Sequence, residues 1–307
     1  DLKLTIGGAA LNQTPIDWEH NKQNIIYAIE YARLNGVEIL CLPEMVITGY
    51  GCEDLFLSDW LYETAFKKLL ELKEFCYDIT VCIGLPVKHE GINYNCVCLI
   101  DNTEIKGFYA KQFLANDGVF YEPRWFYPWS PLKQSVLKYK DKEYLFGDYI
   151  FEIKGLKIGF EICEDAWRVY DRPAYFHKER GVDLIINPSA SNFEFAKTKR
   201  RENLVVSSSK DFDCTYLYAN LLGNESGKII FDGEILIAQK GELINKNQLL
   251  SFQEFNVTYA EIDFSSPEKT VKHIKSLTFD SKEEEFRDAV SLALFDYMRK
   301  SRSKGFV

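Results

Sequence analysis

Three residues stand at the ends of apolar, strand-like runs. Glu44 ends Cys41-Leu-Pro-Glu44, Lys111 ends Gly107-Phe-Tyr-Ala-Lys111, and Cys163 ends Gly159-Phe-Glu-Ile-Cys163. Strand ends in an α/β protein gather into one crevice, so a carboxylate, an amine and a thiol there make a coherent acyl-transfer set. The thiol attacks as its thiolate. The carboxylate takes the thiol proton and later activates water. The fixed cation holds the tetrahedral oxyanion and favours the thiolate. The backbone N–H after Cys163 adds a second oxyanion donor, and Glu164-Asp165 suit a helix N-terminus at this point. Taken singly, Glu44 reads as a solvated or capping carboxylate, Lys111 as a surface lysine and Cys163 as a buried structural thiol. Their shared context is what favours chemistry.

The elements around them alternate between β-rich and helical. Strands are expected over 3–10, 37–42, 79–85, 95–100, 104–110, 149–153, 156–162, 182–187, 215–222, 228–231, 234–238 and 256–262. Asp17 is a candidate N-cap for a helix bearing Ile25, Ile26, Ile29 and Ala32, which Gly36 stops. A helix over 54–75 carries Leu61, Ala65, Leu69 and Leu72 on one face, and further helices are expected over 166–180 and from about 197 to 209. Residues 112–134 and 188–196 read as loops, and a loop as long as the first is usually functional or a partner surface. Within the first of them, the aromatic stretch 119–129, with Trp125, Phe126 and Trp129, is expected to form an interface with another domain or subunit. Ser281-Lys-Glu-Glu284 is a capping-box pattern opening a last helix, with Phe286, Val290, Ala293, Leu294 and Tyr297 as its apolar stripe.

Composition narrows the function classes. The 307 residues are 46% apolar and 27% charged, an ordinary soluble balance. A net charge of −9 argues against nucleic acid or an anionic membrane as partner. No run approaches the roughly 20 apolar residues of a membrane helix, and the segment from Asp1 to Ile6 lacks the marks of a signal peptide. The cysteines, at 41, 52, 76, 82, 96, 98, 163 and 214, form no C-x-x-C pair and sit mostly in apolar runs, which suits reduced, buried thiols and a cytoplasmic setting. His20, His89, His177 and His273 have no zinc-ligand spacing, so no metal site is expected.

The wider motifs carry a family resemblance. Leu42-Pro-Glu44-Met-Val-Ile-Thr-Gly-Tyr50, Lys111-Gln-Phe-Leu-Ala-Asn-Asp-Gly-Val-Phe-Tyr-Glu-Pro-Arg-Trp-Phe126 and Gly159-Phe-Glu-Ile-Cys163-Glu-Asp-Ala-Trp167 resemble the three motifs of the nitrilase superfamily. Thr48-Gly-Tyr50-Gly-Cys-Glu-Asp-Leu-Phe56, Tyr121-Glu-Pro-Arg-Trp-Phe126, Asn187-Pro-Ser-Ala-Ser191 and Phe231-Asp-Gly-Glu234 are similar to the N-terminal glutaminase domains of glutamine-dependent NAD synthetases. The resemblance implies an α/β fold, a four-layer αββα sandwich. It implies that Cys163 attacks the side-chain amide of L-glutamine, Glu44 acts as base and Lys111 steadies the oxyanion. The ammonia would then amidate nicotinic acid adenine dinucleotide in a synthetase domain. For substrate contacts it implies Tyr50 and Phe120 as pocket walls, Glu164, Trp167, Ser189 and Ser191 around the amino and carboxylate ends, and Lys197 and Arg201 as basic positions behind the serine loop.

Two departures shape the expectations. Many superfamily members carry a second glutamate in the lysine loop as Gly-Glu-Phe; here Val119 occupies that position, so a supporting bond near Lys111 is expected to be absent or replaced, and no fourth catalytic carboxylate is expected. The Ser-Gly-Gly-x-Asp-Ser nucleotide loop of the synthetase domain does not follow the last helix. Residues 1–264 are therefore expected to form the glutaminase domain, and 265–307 a linker and first helix leading into a synthetase domain outside this chain. ATP and Mg would belong to that domain, leaving this chain no cofactor. The resemblance further implies homo-oligomers. Alternatives are a free-standing carbon–nitrogen hydrolase of ω-amidase or carbamoylase type, or an inactive glutaminase-like assembly module. The intact Glu44, Lys111 and Cys163 argue against the inactive module.

Overall fold

In a computed structural model of the chain, residues 1–274 and 279–307 are described; residues 275–278, within the expected 265–307 connection, lie outside the described residues. The strands are β1 (Lys3–Leu11), β2 (Ile39–Cys41), β3 (Thr80–His89), β4 (Ile92–Asp101), β5 (Glu104–Ala110), β6 (Gln134–Tyr139), β7 (Lys142–Gly147) and β8 (Phe151–Ile153). They continue as β9 (Leu156–Phe160), β10 (Leu184–Ser189), β11 (Thr215–Asn220), β12 (Leu222–Asn224), β13 (Ile230–Asp232), β14 (Ile235–Gln239), β15 (Glu242–Lys246) and β16 (Phe255–Asp263). The α-helices are α1 (Trp18–Leu34), α2 (Asp59–Lys73), α3 (Pro173–Glu179), α4 (Lys197–Asp211) and α5 (Lys282–Ser301).

Two large sheets form the centre, ordered β16-β1-β2-β3-β4-β5-β7-β6 and β15-β14-β11-β10-β9-β8. Strand side chains alternate between faces, so each sheet presents two apolar surfaces when both are covered. The inner faces meet in one apolar layer, with Ile6, Ile39 and Leu99 from the first sheet against Ile158, Leu184 and Leu217 from the second. On the outer face of the first sheet, Ile25 and Ile29 of α1 and Leu61, Ala65 and Leu69 of α2 pack over Val81, Cys96 and Cys98. On the outer face of the second, Ala174 of α3 and Val205 of α4 cover Ile185, Tyr216 and Leu236. The result is the αββα sandwich. Burying each large aliphatic side chain contributes roughly 1.5–3 kcal/mol, which is why the periodic faces of α1 and α2 suffice to place them.

Several elements differ from the sequence expectation. The helix expected over 54–75 is split by the extended backbone of Ser58 into a 3₁₀ turn, Glu53–Leu57, and α2. The helix expected over 166–180 is only α3, because Pro173 is tolerated in a first turn and forces Arg172 into extended backbone. The hairpin β6–β7 was not anticipated: β6 is a sheet edge with only Leu137 buried, so its apolar signal is weak. Strand β15 was likewise missed. The three side chains on which the interface expected in 119–129 rests are turned inward. Trp125, Phe126 and Trp129 are only 6%, 3% and 2% exposed and pack on Phe56, Tyr94 and Phe146 in the chain's own core.

The last helix is capped as expected, with the Glu284 N–H donating to Ser281 Oγ at 3.1 Å. Its buried face, however, is Ala289, Leu292 and Asp296, while Phe286, Leu294 and Tyr297 of the expected stripe are exposed. Ala289 and Leu292 pack against Ala10, Leu222, Ile235 and Leu250, so α5 lies on the sandwich.

Candidate active site

The first sheet delivers charge. Lys111 directly follows β5, and Glu44 stands three residues beyond β2, before Met45, which adopts a left-handed φ of +56°. Glu44 Oε1 accepts from Lys111 Nζ at 2.7 Å and Asn95 Nδ2 at 2.6 Å, and Oε2 accepts from the Ala190 N–H at 2.9 Å. Lys111 Nζ also donates to Glu122 Oε1 at 2.9 Å, while the Tyr50 hydroxyl donates to Glu122 Oε2 at 2.6 Å. Glu44, Lys111, Glu122 and Tyr50 are all buried. Burial opposes the charge on Lys111, yet Glu122 and Glu44 hold its pKa well above the lysine range. Burial raises the Glu44 pKa, with Lys111 working against it and Glu122 with it. An ammonium has three donors, and two are used here, so the third is available to an incoming oxygen.

The second sheet delivers the thiol. Cys163 follows β9 and begins a 3₁₀ turn, Cys163–Trp167, with a left-handed φ of +46°. That conformation costs about 1–3 kcal/mol and persists only where the surroundings enforce it. They do so here. The Cys163 N–H donates to Asn187 Oδ1 at 3.2 Å. Asn187 Oδ1 also accepts from Ser189 Oγ at 2.7 Å, and Asn187 Nδ2 donates to the Tyr216 hydroxyl at 3.0 Å. Tyr216 donates to Glu161 at 2.8 Å, and Arg172 holds Glu161 through two bonds of 3.0 and 2.6 Å. Asp165 ties this turn to the other half of the site: its carboxylate accepts from the Ile162 N–H at 2.9 Å and from the Gln112 and Phe113 N–H groups at 3.1 and 2.8 Å, just past Lys111. Burial, then Glu44, push the Cys163 thiol up to about 12 against the pull of Lys111. That direction favours a neutral thiol at rest, beside a carboxylate whose basicity is itself raised.

A cavity of about 220 Å³ opens at the thiol, lined by Ala115, Phe120, Cys163, Glu164, Trp167, Ser191, Lys197 and Arg200. It is smaller than the ~300–1,000 Å³ of drug-sized sites and suits a small metabolite. Of the residues read from sequence, Phe120, Glu164, Trp167, Ser191 and Lys197 thus reach the cavity. Tyr50 stands behind it, edge-on to Phe120 at 5.9 Å. Ser189 is buried in β10 and serves Asn187. Arg201 is fully buried, paired with Asp232 and Glu234 and donating to Ser191 Oγ at 3.0 Å, so it supports the cavity wall from behind. The signal was present: Arg201, Val205 and Ser208 recur at the spacing of a buried helix face.

Sequence reasoning missed Glu122, Asn95, Asn187 and Arg200 as members of the site. The supporting contact that Val119 cannot make is supplied by Glu122, which reaches Lys111 from three residues beyond Val119. Its signal lay inside Tyr121-Glu-Pro-Arg-Trp-Phe126: Glu122 opens a 3₁₀ turn at Pro123, which aims it back into the core. Among the described residues, no cluster of His, Cys, Asp or Glu could hold a metal ion, and no helix is long and apolar enough to cross a membrane.

Comparison with known proteins gives a consistent picture. The carbon–nitrogen hydrolase family profile matches residues 5–271. The glutamine-dependent NAD(+) synthetase of Drosophila melanogaster is 30% identical over 275 residues, covering 85% of this chain and 34% of that protein. The human glutamine-dependent NAD(+) synthetase is 29% identical, covering 99% of this chain and 50% of that protein. A crystal structure of a glutamine-dependent NAD(+) synthetase from Cytophaga hutchinsonii superimposes with a TM-score of 0.89 at 54% identity, over 99% of this chain and 48% of that one. An amidase from Nesterenkonia sp. shares the fold, with a TM-score of 0.67 at 18% identity over 93% and 95% of the two chains. The chain spans about a third to a half of the length of the curated relatives it matches.

Proposed function

The chain belongs to the carbon–nitrogen hydrolase family, and on that premise we propose that it hydrolyses the side-chain amide of L-glutamine and supplies the ammonia to the synthetase part of a longer glutamine-dependent NAD synthetase. The observation that carries this reading is the charge pattern of the cavity. Glu164 suits an α-ammonium, Lys197 and Arg200 suit an α-carboxylate, and Ala115, Phe120 and Trp167 suit the methylenes between them and the thiol. A small aliphatic amide would leave all three charges unmet, which favours glutamine over a simple amidase substrate. The names of the most similar relatives point the same way.

In the proposed cycle, Glu44 takes the Sγ proton as the sulfur attacks the amide carbon. The oxyanion is held by the third donor of Lys111 and by the backbone N–H of Glu164. Protonated Glu44 returns the proton to the departing nitrogen, ammonia leaves, and a glutamyl thioester remains. Glu44 then takes a proton from water, the hydroxide attacks the thioester, and glutamate departs as the sulfur regains its proton. Glu122 and Tyr50 hold Lys111 in place throughout. The ammonia would amidate adenylylated nicotinic acid adenine dinucleotide, with ATP and Mg bound in the synthetase part and residues 265–307 as the connection toward it.

The test is labelling with a glutamine-like diazo-ketone, read by intact mass and peptide mapping. One adduct on Cys163, blocked by excess L-glutamine and absent from Cys163→Ala, is the expected result. No adduct, either from this chain or from the full-length synthetase, would overturn the reading.

A further inference from the structure

A second buried polar network lies behind the catalytic cluster and takes no part in the cycle above. Lys300, in the last turn of α5, donates to Asn12 Oδ1, to the Gln13 carbonyl at 3.0 Å and to the Asn224 carbonyl at 2.6 Å. Asp296, one turn earlier and fully buried, accepts from Asn12 Nδ2 at 3.0 Å and from the Asn224 N–H at 2.9 Å. The next residue along, Glu225, reaches forward and accepts from the backbone N–H groups of Tyr50 at 2.9 Å and Gly51 at 3.1 Å. Tyr50 is the residue whose hydroxyl holds Glu122, and Glu122 holds Lys111.

The backbone is fitted to both contacts. At Gly223, with φ +90°, a Cβ would lie 2.4 Å from Asp296 Oδ2 and from Asn12 Nδ2. At Gly49, with φ +82°, a Cβ would lie 2.7 Å from Glu225 Oε2. Only glycine admits each carboxylate at that distance with a left-handed backbone. A buried ionic cluster brings little stability over apolar packing of the same volume, and its best attested use is to fix register. What this cluster fixes is the segment 222–225 against α5 on one side and against the Tyr50 loop on the other.

We propose that Asp296 and Lys300 of α5, acting through Glu225, form a strut that sets the position of Tyr50 and thereby of Glu122 and Lys111. Glu225 is then a positioning residue for the hydrolysis, and a shift of α5 on the sandwich is felt at the oxyanion-holding ammonium. The inference rests on the role given to Lys111 under the proposed function.

The test uses the full chain with Glu225→Gln, Asp296→Asn and Lys300→Met, with Lys300→Arg as rescue and Lys282→Met, at the other end of α5, as control. Two rates are read: kcat and KM for L-glutamine, and alkylation of Cys163 by iodoacetamide, which needs no particular substrate. Lys111 is the charged side chain that favours the thiolate, so its displacement slows alkylation. A ~1 Å misplacement of a catalytic group can cost about 10²-fold; a smaller shift is expected for Glu225→Gln, lowering kcat about 10-fold with KM nearly unchanged and alkylation slowed in parallel. Lys300→Met and Asp296→Asn change both rates in the same direction, Lys300→Arg restores them, and Lys282→Met leaves them unaltered. Circular dichroism checks folding; if Glu225→Gln does not fold, the Lys300→Met and Lys300→Arg pair decides by the same two rates. Unaltered alkylation and turnover in the folded strut variants would overturn the proposal. Altered alkylation in a protein that hydrolyses no glutamine, either as this chain or as the full-length synthetase, would uphold the strut and sink the glutaminase reading instead.

Discussion

The two sheets bring opposite things to the catalytic centre. The first contributes charge that is already paired: two carboxylates, Glu44 and Glu122, share one ammonium, and Asn95 and Tyr50 complete the bonding. The second contributes a neutral thiol on left-handed backbone and the cavity beside it. There, Lys197 is held by Asn192, and Arg200 pairs, among the described residues, with the exposed Glu194 at 3.0 Å, a contact worth little in water. The half proposed to move protons and stabilise charge is therefore fixed before anything binds, which is where preorganisation is most effective. The half that would meet substrate keeps its charges easily surrendered.

The largest test of this contrast sets two inactive variants side by side. Removing the proposed nucleophile in Cys163→Ala abolishes turnover, a loss of at least ~10⁴-fold, while leaving stability nearly unaltered, because one neutral sulfur is lost and the backbone with its Cβ stays the same. Lys111→Met abolishes turnover too, but it strands Glu44 and Glu122 in the core, and breaking a buried pair in this way destabilises by about 3–5 kcal/mol. Chemical denaturation of both proteins reads the difference. Equal stability would break the comparison, since the first sheet's charges would then not be holding one another.

A finer test removes only the surplus charge. Glu122→Gln keeps the shape and leaves one carboxylate with one ammonium. The Lys111 Nζ loses the charged partner that aims it, and kcat falls about 10²-fold with KM little changed, a size typical of one lost charge-stabilising contact. Wild-type turnover in this variant would mean that Glu44 and Asn95 position the lysine unaided.

Glu122 also marks how far the sequence could be read. Glu44, Lys111 and Cys163 were legible because each ends an apolar run, and an ionisable residue there has a readable place in the sheet. The faces of α1 and α2 were legible because apolar periodicity reports burial. Glu122 sits in an irregular stretch, where one 3₁₀ turn decides whether a carboxylate faces water or the core. The same blindness misled the reading of α5: its buried face includes Asp296, held by Asn12 and Asn224 from distant segments, so an apolar stripe could not reveal the helix's rotation. The hairpin β6–β7 lies at a sheet edge, where solvent covers what would otherwise alternate.

The thiol offers a pH test of the second sheet. With its pKa pushed up to about 12, the thiolate fraction of Cys163 grows about tenfold for each pH unit below that value, whereas an ordinary cysteine levels off near pH 9. Iodoacetamide alkylation of Cys163 should therefore keep rising from pH 8 to pH 10. A plateau near pH 8 would mean that Lys111 outweighs burial and Glu44, and the resting group would be a thiolate already paired like the charges of the first sheet.

The smallest effect separates two neighbouring arginines. Arg200 lines the cavity and, among the described residues, pairs with exposed Glu194 and with no buried carboxylate. Arg200→Ala should raise KM for L-glutamine about 5-fold and leave kcat and the melting temperature nearly unaltered, the signature of lost uniform binding. Arg201 lies one position further along α4, fully buried against Asp232 and Glu234. Its replacement should lower stability before it changes KM, because two carboxylates are left in the core. Steady-state kinetics and thermal melts on the two alanine variants decide it. If Arg200→Ala lowers kcat instead, its charge belongs with the fixed machinery, and the division between a paired half and an open half does not run between the sheets.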